Sequence, residues 1–177
     1  IAGTPQSDPR ELTNAGGTLV FFAATGTTGV EPWRSKGSAA TTSLLLDIQP
    51  GGPSSNPTDG VRLGGRAYFS AQGATGRELW RSDGTPAATR IVKDLGGAAD
   101  GTVGDIVRAG SRLFFAGAKA GTGRELFKSD GTAAGTVRLG SMGSRPGSGA
   151  TRLSQLTPVG GRLFFHGGVG DGNGDEL

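Results

Sequence analysis

The sequence predicts an all-β fold: a β-propeller-type array of four-stranded antiparallel blades, about 48 residues to the repeat. Three observations predict it. A Gly-Gly or Gly-Ser pair opens an aromatic-bearing apolar run at Gly16, Gly64, Gly110 and Gly160, at steps of 48, 46 and 50 residues. GRELWRSDGTPAAT at Gly76–Thr89 returns as GRELFKSDGTAAGT at Gly123–Thr136. No window carries apolar residues at helical spacing, and the 35 glycines recur at fixed phase, as tight turns between short strands require.

Each unit has the same parts in the same order. The first is an apolar run, Leu19–Phe22, Ala67–Phe69, Leu113–Phe115 and Leu163–Phe165, with an aromatic in register at Phe21, Phe69, Phe115 and Phe165. These runs are β-favouring and too short for helices. A second segment, EPW, ELW or ELF, ends at SKGS, SDGT and SDGT. Asp-Gly at this place predicts a type I′ hairpin, which needs positive φ at both central residues. A third segment follows Thr42, Thr89 and Thr136. After a Gly/Pro/Ser loop, a fourth leads into the next Gly-Gly. One such sheet cannot bury both its faces, so neighbouring units must stack to make a core.

Counted from Gly-Gly, residues 1–177 form a single repeat array: a partial blade 1–15, blades 16–63, 64–109 and 110–159, and a partial blade 160–177. GDEL at the end aligns with GREL at Gly76–Leu79. This phase predicts a fragment of a longer chain with more blades.

Composition narrows the function classes. The net charge of +3 is interspersed, with no basic run, so no nucleic-acid partner is expected. There is no cysteine, hence no disulfide and no thiolate metal site. No apolar run approaches the roughly 20 residues of a membrane span.

GRELWRSDGTPAAT followed by RIVKDL resembles the bacterial ELWxxDGT repeat family. The likeness covers the whole chain and is sharpest at Glu78–Thr89 and Glu125–Thr136. The first unit departs from the pattern at Pro32, Lys36 and Ser38, and the third carries Phe127 in place of tryptophan. The resemblance implies secreted or surface-attached bacterial proteins with propeller-like repeats. It implies no catalytic activity and no catalytic residues.

Several residues are candidates for binding. Trp33, Trp80 and Phe127 share one repeat position. A ring of such aromatics can stack on sugar faces, but recurrence favours packing between blades. Asp83 and Asp130 are expected to accept backbone N–H groups in their turns. Glu31, Glu78, Glu125 and Glu176 also recur, and exposed pairing with Arg34, Arg81 and Lys128 is expected. Asp171, Asn173 and Asp175 have D-x-N-x-D spacing, which can wrap Ca²⁺ or simply form a polar hairpin loop; no other cofactor is expected. His166 and Tyr68, the only residues of their types, sit at ordinary strand positions.

The expectation is therefore a non-enzymatic extracellular or cell-surface module for protein interaction or structural assembly. Its partners would be other protein chains or further blades of the same parent. A glycan-binding propeller that takes surface glycans is the first alternative. A non-catalytic part of a larger secreted hydrolase is the second.

Overall fold

The computed structural model describes residues 6–96, 102–118, 124–140, 153–168 and 175–176. Their regular structure is strand, apart from two 3₁₀ turns at Ala39–Thr41 and Pro86–Ala88. Four antiparallel sheets follow one another along the chain. The first holds β1 (Arg10–Ala15), β2 (Thr18–Thr25), β3 (Gly29–Ser35) and β4 (Ser43–Leu44). The second holds β5 (Thr58–Leu63), β6 (Arg66–Gly73), β7 (Gly76–Ser82) and β8 (Arg90–Lys93). The third holds β9 (Gly104–Ala109), β10 (Arg112–Gly117), β11 (Glu125–Ser129) and β12 (Val137–Gly140). The fourth holds β13 (Leu153–Val159), β14 (Arg162–Gly168) and β15 (Asp175–Glu176). Within each sheet the strands pair in chain order.

Each sheet takes the segment before a Gly-Gly together with the segments after it. The reason is local. Gly16 and Gly17 have φ of +63° and +95°, and Gly64 and Gly65 of +54° and +75°. Two successive positive φ values make the two-residue turn that closes Ala15 on Thr18 and Leu63 on Arg66. Gly-Gly is thus a hairpin tip inside a sheet, and the sheets are phased one strand ahead of units counted from it.

The Asp-Gly turn differs from the expected type I′ hairpin. Gly84 and Gly131 have φ of +91° and +89°, but Asp83 and Asp130 do not share the left-handed region. The connection is longer and is held by side chains. The Ser82 hydroxyl bonds that of Thr89 at 2.8 Å and accepts the Gly84 N–H at 2.9 Å. Ser129, Thr136 and Gly131 repeat this at 2.7 and 2.9 Å, and Ser35, Thr42 and Gly37 at 2.7 and 3.0 Å. Hydroxyls satisfying turn N–H groups remove the need for a tight two-residue hairpin.

Strand pleating sends alternate side chains to opposite faces, and both faces are used. Phe22, Ile48, Phe69, Ala71 and Trp80 form one buried cluster between the first and second sheets. Ala15, Val20, Leu45 and Ala67 form another between the same two sheets. Leu63, Tyr68, Leu79 and Val92 of the second sheet meet Ile106, Leu113, Phe115 and Phe127 of the third. Ala116 and Leu126 meet Leu153 and Leu156 of the fourth. Every apolar cluster straddles two successive sheets, so the core lies between units, as the repeat predicts. The sheets also meet along their first strands: β1 lies against β5, β5 against β9, and β9 against β13.

Candidate functional site

The shared aromatic position lies on the face of β7 and β11 that looks toward the preceding sheet, and on the corresponding face of β3. Trp80 and Phe127 are each only 9 % exposed. Trp80 pairs with Phe69 across β6–β7 and donates its indole N–H to the Ala71 carbonyl at 3.2 Å. Phe127 stacks on Phe115 with ring centroids 5.4 Å apart. Trp33 pairs with Phe21 in the same register, but it belongs to the first sheet and is only half-buried. The structure therefore does not gather the three rings into one surface. Two are packing residues, and the third belongs to the first of the described sheets.

Arg81 reaches from the second sheet to the third, where it donates to the Gly131 carbonyl at 2.9 Å. Arg34 makes the matching bond from the first sheet to the Gly84 carbonyl of the second at 3.4 Å. Asp83 accepts the Thr85 N–H at 2.9 Å and hydroxyl at 2.7 Å. Asp130 accepts those of Thr132 at 3.0 and 2.7 Å. The threonine hydroxyl in each turn holds the carboxyl below its usual range. These aspartates have the turn role expected of them. Lys36 takes their place in the first sheet, where Thr41 Oγ1 accepts the Lys36 and Ser38 N–H groups instead.

The recurring glutamates differ from expectation. Glu31 and Glu78 are fully buried and Glu125 is 5 % exposed, so they are not exposed partners of Arg34, Arg81 and Lys128. Glu31 accepts the Ile48 N–H at 3.0 Å, the Ser55 N–H at 2.8 Å and the Ser55 hydroxyl at 2.7 Å. It latches the chain leaving the first sheet, and burial raises its pKa against those hydrogen bonds. Glu78 has one such bond, from the Leu95 N–H at 3.3 Å, and its Oε1 is buried without a partner. Burial pushes its pKa up to about 7, with Asp94 adding to the rise. Glu125 is met by Arg138.

One repeated feature escaped sequence reasoning. Glu11, Asp59, Asp105 and Gln155 occupy one position of the first strands, and all four have left-handed φ, +52°, +61°, +55° and +54°. In each first strand the pairing register slips there, which marks a β-bulge. The bulges lie on the strands by which successive sheets meet. Glu11 Oε2 accepts the Gly60 N–H at 2.8 Å, tying β1 to β5. Asp59 accepts the Thr58 hydroxyl at 3.1 Å, and Arg77 donates to Ser70 Oγ at 2.8 Å and the Asn56 carbonyl at 2.6 Å. Asp105 pairs with Arg124 at 2.8 Å. The acidic groups of the bulges are engaged with protein partners. The only signal in the sequence is that aligned positions read Glu, Asp, Asp and Gln. Aspartate tolerates left-handed φ better than most residues, but glutamate and glutamine do not advertise it.

His166 lies half-buried on β14, opposite Ser154. Asp171 and Asn173 lie outside the described residues, and Asp175 is described only as the start of β15, so the calcium reading falls outside them. Among the described residues, no three His, Cys, Asp or Glu side chains gather as a metal site, and no helix is long and apolar enough to cross a membrane. Comparison with protein-family models, curated proteins and solved structures finds no match.

Proposed function

We propose that the chain is a non-catalytic interaction module: a propeller-type array of blades, of the kind its ELWxxDGT-like repeats imply, serving protein interaction or assembly at the outside of a bacterial cell. The observation that carries this reading is the stacking itself. Successive sheets share apolar clusters and meet along β1, β5, β9 and β13, the relation that blades have around a propeller axis. The recurring chemical groups are spent on that stacking. The glutamates are buried, the aspartates close turns, and Arg34 and Arg81 bridge sheets.

The glycan reading is weakened by the burial of Trp80 and Phe127, which leaves Trp33 as the accessible aromatic of its position. A glycan array probed with the purified chain separates the two. Silence is the expected result. Saturable binding that Trp33→Ala abolishes, with an unchanged circular dichroism spectrum, would put a lectin in place of the interaction module.

A further inference from the structure

A hollow of about 260 Å³ lies at the turn end of the first sheet, over Thr18, Arg34, Lys36, Ala40 and Thr41. Thr18 and Arg34 stand on the face turned to the second sheet. A Cβ on Gly84 would run into Thr18, and Arg34 Nη1 donates to the Gly84 carbonyl at 3.4 Å. The hollow therefore belongs to the side of the first sheet that has a neighbour.

Its charges depart from the repeat. The residue after the Gly-Gly or Gly-Ser pair is Arg66, Arg112 and Arg162 in the later units, and Thr18 in the first. The turn position is Asp83 and Asp130 in the second and third units, and Lys36 in the first. In the second sheet the Thr85 hydroxyl, and with it the Arg66 charge, holds the Asp83 carboxyl below its usual range. In the third, Arg112 Nη1 lies 3.8 Å from Asp130 Oδ2. The first sheet lacks the carboxylate of that pair and puts a second cation on the hollow with Arg34, which the repeat keeps as Arg81 and Lys128. Among the described residues, neither Arg34 nor Lys36 is in an ion pair. Two cations on one hollow repel each other until an anion joins them.

Thr18 points the same way independently. It is only 9 % exposed, and its hydroxyl makes no hydrogen bond with a described residue, whereas a buried hydroxyl is ordinarily paired. Arg34 is held in place by Ser43 Oγ, which accepts from its Nε at 3.1 Å, and by the Gly84 carbonyl. The rest of its guanidinium fork is thereby oriented without being used. The Thr41 hydroxyl is taken up by the turn, where it accepts the Lys36 and Ser38 N–H groups, and so serves as wall.

We propose that this hollow binds a tetrahedral oxyanion, a phosphate or sulfate group, held by Arg34 and Lys36 with the Thr18 hydroxyl as a further donor. The donors come from β2, from β3 and from the turn after β3, so they meet the anion from different directions. That suits tetrahedral oxygens, two of which the planar guanidinium can take together. The site goes beyond the interaction-module reading and stands apart from it.

Isothermal titration calorimetry of the purified chain with inorganic phosphate, at neutral pH and with ionic strength held constant by sodium chloride, tests it. One saturable site with a millimolar or tighter Kd is expected. Lys36→Asp, which writes the residue of the second and third sheets into the first, should weaken binding about tenfold. Thr18→Val should weaken it several-fold, and Arg62→Ala, a cation outside the hollow, should leave it unchanged. Circular dichroism checks that each variant keeps the wild-type fold; should Lys36→Asp lose it, Lys36→Gln reads the same loss of binding. Methyl phosphate tells the sources apart: binding as tight as that of phosphate assigns the site to an ester carried on a larger molecule, and its rejection assigns it to the free ion. Absence of a saturable heat in the millimolar range overturns the proposal, and so does a folded Lys36 variant that binds phosphate less than threefold more weakly than wild type.

Discussion

Trp80 and Trp33 are each followed by Arg-Ser and a Ser-x-Gly turn and each face a phenylalanine across the strand pair, yet one is core and the other is half-open. Local sequence makes the two sheets alike. What differs is that the first sheet lies over the second, while among the described residues no sheet lies over the first. In such an array stability resides in the contacts between units as much as in the units themselves. The interior sheets should therefore respond to substitutions that the first sheet tolerates.

The aromatic position should show the largest contrast. Trp80→Ala empties a site between two sheets and should cost about 3–5 kcal/mol in chemical denaturation. Trp33→Ala should cost less than half of that. Equal losses would mean that the ring is held by its own sheet rather than by its neighbour.

The turn glycines sharpen the point. Gly131→Ala meets two penalties, a left-handed φ of +89° and the Tyr68 ring, and should cost about 2–4 kcal/mol. Gly37→Ala, at φ +98° with open space around it, meets only the first, about 1–2 kcal/mol. Thermal melts of the pair would show whether the neighbouring sheet presses on the turn.

Glu31 and Glu78 make the same comparison among polar groups. Both are buried, but Glu31 has three hydrogen-bond donors and Glu78 one. The Glu78 pKa, about 7 in the folded chain against the ordinary glutamate value of 4.5, sets the sign. A raised carboxyl pKa means that the folded state holds the proton more tightly. The stability this gives is present below about pH 4.5 and is lost as pH rises through 7, by at most about 3 kcal/mol. Glu78→Gln should flatten that part of the stability profile, measured by denaturation at pH 5 and pH 8. An unchanged slope would show that Glu78 is not its source. A smaller effect, about 1 kcal/mol, is expected from Arg81→Ala, which removes a bond to the Gly131 carbonyl at the half-buried margin.

Much of the architecture is legible in the sequence, because packing between copies repeats apolar residues at a fixed step. The equivalence of Phe69 with Phe115 and of Trp80 with Phe127, and the alignment of Glu176 with Glu78, could be read from the letters. So could the turn role of Asp83 and Asp130. The phase of the sheets was harder to read: Gly-Gly looks like a border and is a hairpin tip. The glutamates misled for a physical reason. Glutamate is seldom fully buried, so a repeated Glu near a repeated Arg reads as a surface pair. Only the folded loop shows that Ser55 and the Ile48 N–H come back to meet Glu31. The bulges at Glu11, Asp59, Asp105 and Gln155 are a property of single backbone dihedrals, for which no glycine stands as a marker.

The cohesion between sheets can be measured at one contact. Phe22 of the first sheet and Phe69 of the second lie with ring centroids 5.3 Å apart and planes tilted by 60°. A double-mutant cycle with Phe22→Leu and Phe69→Leu reads their interaction across the inter-sheet gap. Stacked sheets predict a coupling of about 0.5–1.5 kcal/mol. Strictly additive losses would mean that the two rings do not meet, and that the sheets fold without leaning on one another.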